Sequence, residues 1–154
     1  MHNNSLIIET DDGSVVDLSV LAKYIDIAKN IASISKMMAP VTLQSLIEGQ
    51  DIAGEMLSKI IQQDVLLSNK LSEAEAVAYL DRSTDFLQSK GLKDTSEARK
   101  QYVEMDPDVV RLRNKKAMLE AFSSMLKNKL SVLKQAHDDL KKIHYADVAS
   151  VSNF

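Results

Sequence analysis

The chain has 154 residues, 45% of them hydrophobic and 27% charged, with a formal net charge of −3. That length and balance fit one folded domain rather than a disordered tail. The absence of cysteine excludes disulfides, thiolate zinc sites and thiol catalysis. No apolar run reaches the length of a membrane span, and the start MHNNSLIIETDDG lacks the basic and apolar regions of a secretory signal. A cytosolic setting is expected.

Four glycines and two prolines leave little punctuation, so long helices are expected, and the fold class is mainly α. In chain order, SLIIET and SVVDL flank DDG, the signal for a short hairpin over 5–18. Asp17 or Ser19 then caps a helix running to about Met38, and Pro40 stops it. Thr42 caps a second helical stretch that Gly49 and Gly54 are expected to interrupt. Ser72 with Glu75 matches a capping box opening a further helix to about Ser89, with Gly91 just past its end. Residues 1–91 thus form an N-terminal helical region, and 92–106 a polar linker or short helix. Asp106, Pro107 and Asp108 suit the cap, first position and first turn of a long helix over 107–145. Residues 146–154 read as a flexible tail.

In that last helix Leu112, Leu119, Leu126, Leu133 and Leu140 recur every seven residues. A strict heptad favours supercoiled packing over a straight helix. A dimeric zipper also needs a second apolar seam. The candidates are Lys116, Ser123, Leu130 and His137, or Lys115, Phe122, Lys129, Ala136 and Ile143. Neither is apolar enough. Met118, Phe122, Met125, Val132, Ala136 and Ile143 widen the stripe, as expected of a helix that meets several neighbours. It reads as one edge of a bundle or multi-helix assembly.

Charge is uneven along the chain. Residues 1–88 hold six Lys and Arg against thirteen Asp and Glu, and residues 89–154 hold thirteen against nine. A basic C-terminal half fits an anionic partner or charge-matched self-assembly, and equally a solvated Lys-rich helix. Lys116, Lys127, Lys134 and Lys141 border the apolar stripe, where their stems can cover its edge. Signs of catalysis are missing: there is no phosphate loop, dinucleotide fingerprint or metalloprotease motif. His137 and His144 lie about 10 Å apart along a helix, too far for one metal. No metal, cofactor or catalytic residue is assigned. With only seven aromatic side chains and no Trp, base stacking is not the expected mode of any nucleic-acid binding.

Asp106-x-Asp108-Val109, then Leu130, Leu133-Lys134 and Leu140-Lys141-Lys142-Ile143, resemble the last helical segment of the phage recombination mediator family typified by UvsY. The similarity covers about residues 102–145. It implies a non-enzymatic protein of the host cytoplasm that binds single-stranded DNA and forms ring-like oligomers. Such a protein helps a RecA-like recombinase displace single-strand-binding protein and load onto DNA. The resemblance places Leu112, Leu119, Phe122, Leu126, Leu133, Leu140 and Ile143 at the subunit interface. The family's basic, tyrosine-containing DNA segment has an acidic counterpart here, SEAEAVAYLDRSTDF, echoed only by Tyr79 and Arg82. DNA-contact candidates are therefore taken by charge: Lys90, Lys93, Arg99, Lys100, Arg111, Arg113, Lys115 and Lys116, with Tyr102 for stacking. The rival reading is a helical oligomeric adaptor, chaperone or virion scaffold without DNA affinity.

Overall fold

The structure is a computed structural model that describes residues 7–10 and 13–151, with side chains as far as residue 146. It is mainly helical and divides into two compact units, residues 1–59 with 123–154 and residues 60–122.

The first unit opens with an antiparallel hairpin of β1 (Ile7–Glu9) and β2 (Val15–Asp17), with Ile8 opposite Val16. Alternation along the strands buries Ile8 and Val16 on one face. Gly13 supplies the left-handed turn conformation, φ 79°, that DDG foretold; Asp11 and Asp12, like Ser5 and Leu6, lie outside the described residues. Asp17 caps the next turn by accepting the Ser19 N–H at 2.9 Å. The expected helix to Met38 is instead broken. A 3₁₀ turn over Leu18–Leu21 leads into α1 (Ala22–Lys29), followed by a second 3₁₀ turn at Ile31–Ser33. Asn30 ends α1 and returns its side-chain amide to the Asp26 carbonyl at 2.7 Å, a local bond that competes with helix continuation.

Helix α2 (Ala39–Val77) runs straight through every break the sequence led us to expect. Pro40 does not stop a helix but sits in the first turn of this one, where its missing N–H costs nothing. Thr42 bonds back to the Met38 carbonyl at 2.9 Å. Gly49 is present for space rather than for a break. A Cβ there would meet Cγ of buried Tyr24, on α1, at 2.8 Å, whereas a Cβ at Gly54 would meet nothing within 4 Å. The two glycines therefore respond oppositely to alanine. Gly49→Ala should destabilise by about 1–3 kcal/mol through overpacking. Gly54→Ala should stabilise by up to about 1 kcal/mol through helix propensity. Urea unfolding of both variants checks this, and equal responses would contradict it.

In the second unit α2 ends in a π-turn at Ala78–Arg82 that passes into α3 (Ser83–Ser89), so Ser72 opens no new helix. Gly91, at φ 65°, closes α3 as expected, with the Leu92 N–H on the Leu87 carbonyl at 2.9 Å. The polar stretch after it contains α4 (Ser96–Met105), capped by Thr95, and Asp106 leads into α5 (Pro107–Val151). Ala78, Val103 and Val109 form the core here, flanked by Leu71, Ala74, Tyr79 and Tyr102.

The heptad leucines of α5 are all buried within the chain, from 7% exposed at Leu112 to 0% at Leu126, Leu133 and Leu140. A second seven-residue series, Ala39, Leu46, Ala53, Ile60 and Leu67, is buried along α2. Within the second unit the two helices are antiparallel: Lys116 reaches Asp64 and Ser68, while the earlier Arg113 reaches the later Glu75.

Candidate functional site

The basic candidates at 90–116 all fall in the second unit, where the Asp106 corner fixes the frame. Asp106 is 1% exposed and caps α5, accepting the backbone N–H groups of Asp108 and Val109 at 3.1 and 3.2 Å. Arg82, carried into place by the π-turn, donates to both carboxylate oxygens at 2.7 and 2.9 Å. This fork-on-carboxylate geometry is the strong form of the ion pair. Arg82 holds the Asp106 carboxyl down at about 2, against burial, with the Val109 N–H and the Tyr102 hydroxyl assisting. Burial first, and the Asp106 carboxylate next, push the Tyr102 hydroxyl up.

Tyr102 also packs its ring 5.1 Å from that of Phe86, and is half-buried. It is thus built into the corner rather than standing out as a stacking platform. Arg82 was noticed in the sequence only as an echo of a DNA segment. Its partner lies 24 residues away, a pairing no local pattern reveals.

The other cations separate into two groups. Arg99 forks onto Asp94 at 2.7 Å through two nitrogens and lies over the Tyr79 ring at 5.7 Å. Arg113 bridges Glu104, at 2.6 Å, and Glu75, at 2.9 Å. Lys116 holds Asp64 at 3.0 Å and Ser68 at 2.8 Å, with Glu120 at 3.6 Å. Their partners raise the affinity of all three for a proton, and lower that of Asp94 and Glu104. Lys115 is half-buried and engaged within the chain.

Lys90, Lys93, Lys100 and Arg111 are exposed and, among the described residues, form no ion pair. Lys90 stands 6.0 Å from the Phe86 ring centre, and exposed Leu92 lies between Lys90 and Lys93. Because Arg99 neutralises Asp94, the loop joining α3 to α4 keeps a positive balance.

An open groove of about 740 Å³ is lined by α2, the π-turn, α4 and α5 within this unit, with Ala76, Tyr79, Leu80 and Val103 in its walls. Its charged lining is Glu75, Glu97 and Glu104 against Lys100 and Arg113. The Tyr79 hydroxyl meets Ser96 Oγ at 3.2 Å nearby. Among these carboxyls, Glu104 is held low by the hydrogen bonds it accepts from Arg113.

The interface candidates fare differently from one another. The five leucines face the chain's own interior, Phe122 is half-buried, and Ile143 is 55% exposed. His144 Nε2 lies 2.9 Å from the Ile34 carbonyl oxygen, which requires that nitrogen to carry the proton. His137 Nδ1 lies 3.4 Å from Asp138. No family model, curated protein or solved structure matches the chain.

Proposed function

We propose that this chain is a non-enzymatic, single-stranded-DNA-binding mediator of recombination. On this reading it self-associates, needs no cofactor, and helps load a RecA-like recombinase onto DNA coated with single-strand-binding protein in the host cytoplasm. One observation carries the DNA half of the reading. Of the cations of the second unit, those that form no ion pair among the described residues, Lys90, Lys93, Lys100 and Arg111, all lie within residues 90–111, whose loop carboxylate Asp94 is already taken by Arg99. Exposed ammonium and guanidinium groups of this kind bind phosphate by releasing counterions, without reading bases.

Changing these four residues together to Ala should leave the helical circular dichroism intact, since none supports the core. Affinity for a labelled oligothymidylate at low salt should fall by at least about tenfold, with the salt slope flattened by about 0.7 per lost phosphate contact. Unchanged affinity in the variant would remove these residues from the site.

The second reading, a helical adaptor, chaperone or virion scaffold, is favoured by the groove. Three glutamates against two cations repel a phosphate chain and suit a protein segment instead.

A further inference from the structure

In the first unit the lysines of α5 form a row beside two hollows. Lys127, Lys134 and Lys141 recur every seven residues, about 10.5 Å apart along the axis, and Lys142 adjoins the last of them. All four are exposed and, among the described residues, form no ion pair. Asp138 interrupts the row, with His137 Nδ1 3.4 Å from its carboxylate. One hollow, of about 540 Å³, is lined by Leu43 of α2 with Lys141, Lys142, Tyr145 and Ala146 of α5. The other, of about 300 Å³, opens between Lys127 and Lys134, with Leu130 and Ser131 in its wall. Residues 127, 131, 134, 138, 141 and 145 follow one another at intervals of four and three, so both hollows fall on one face of the helix. Leu43, Leu130 and Tyr145 are half-buried while the lysines are exposed, so the apolar groups are recessed as sockets.

We infer that this face docks an acidic amphipathic helix of a partner protein, whose carboxylates meet the lysine row and whose apolar side chains enter the two hollows. Acidic residues seven apart on the partner recur at the same spacing of about 10.5 Å as Lys127, Lys134 and Lys141, so one register satisfies all three pairs. Apolar residues three or four positions from those acids share their face and reach the hollows between the lysines. A nucleic-acid strand would engage the lysines through phosphate and leave Leu43, Leu130 and Tyr145 uncovered. A membrane surface takes up apolar groups that stand out beyond the cations, and here they are recessed. The inference stands apart from the DNA reading, whose cations belong to the second unit.

The test is fluorescence anisotropy of a labelled peptide of about three heptads, with Glu at every seventh position, Leu three and four positions after each, and Ala and Gln elsewhere. Titrated with the full chain at low salt, it should bind with a Kd of about 10–100 μM. Changing Lys127, Lys134, Lys141 and Lys142 together to Gln should weaken binding at least about tenfold with the helical circular dichroism intact. Leu43→Gln should weaken it about fivefold, through the hollow and not through charge. A peptide of the same composition in shuffled order should bind at least about tenfold more weakly, since its acids and leucines no longer share a face. No binding below about 1 mM, or equal binding by the shuffled peptide or the lysine variant, would overturn the inference. So would an oligothymidylate whose affinity falls in the lysine variant while that of the peptide does not, which would assign the row to nucleic acid.

Discussion

Replacing Leu126 with Ala should lower the unfolding free energy by about 3 kcal/mol, among the largest effects of any single truncation in the chain. Leu126 is 0% exposed and sits within a series that stays buried through Leu133 and Leu140. Truncating a buried leucine removes its transfer energy and leaves a cavity that flanking helices can only partly close. The contrast is Ile143→Ala on the same helix, 55% exposed, which should stay within about 0.5 kcal/mol. Urea midpoints followed by circular dichroism decide the matter. A loss below about 1 kcal/mol at Leu126 would mean that the heptad does not face the interior.

Asp106→Ala should cost about 3 kcal/mol. It removes the cap of α5, frees the Asp108 and Val109 N–H groups, and leaves Arg82 aimed at an apolar methyl group. The same residue makes stability depend on acid. Its carboxyl is held at about 2 in the fold against an ordinary 3.8, so the folded chain binds fewer protons than the unfolded chain across that interval. The stabilisation is therefore complete above about pH 4 and is lost as the pH falls toward 2. In Asp106→Asn the loss over this window should be shallower than in the wild type, as measured by urea unfolding at successive pH values. Parallel pH profiles would show that the ion pair contributes nothing.

Signals that depend on one residue's own backbone were legible in the sequence. The left-handed Gly13 of the hairpin turn, the left-handed Gly91, and the Asp106–Pro107–Asp108 helix start all appear where the sequence places them. Misread were the signals whose meaning depends on a distant partner. Gly49 looks like a break until the Tyr24 ring is brought against it. The heptad of α2 alternates Ala with Leu or Ile at its first positions, so its row is far less visible than the five leucines of α5. Ser72 and Glu75 have the spacing of a cap, yet Glu75 turns instead to Arg113, 38 residues on.

The candidate site was legible as charge and illegible as pairing. Counting cations marked residues 90–116, but only the fold divides Arg99, Arg113 and Lys116, which hold carboxylates, from Lys90, Lys93, Lys100 and Arg111.

The most direct test of the proposed activity is fluorescence anisotropy of a labelled single-stranded oligonucleotide, titrated with the wild-type chain across a salt series. Four phosphate contacts from Lys90, Lys93, Lys100 and Arg111 predict that log K falls linearly with log salt at a slope of about −3, with little dependence on base sequence. Absence of binding at low salt, or affinity indifferent to salt, would contradict it.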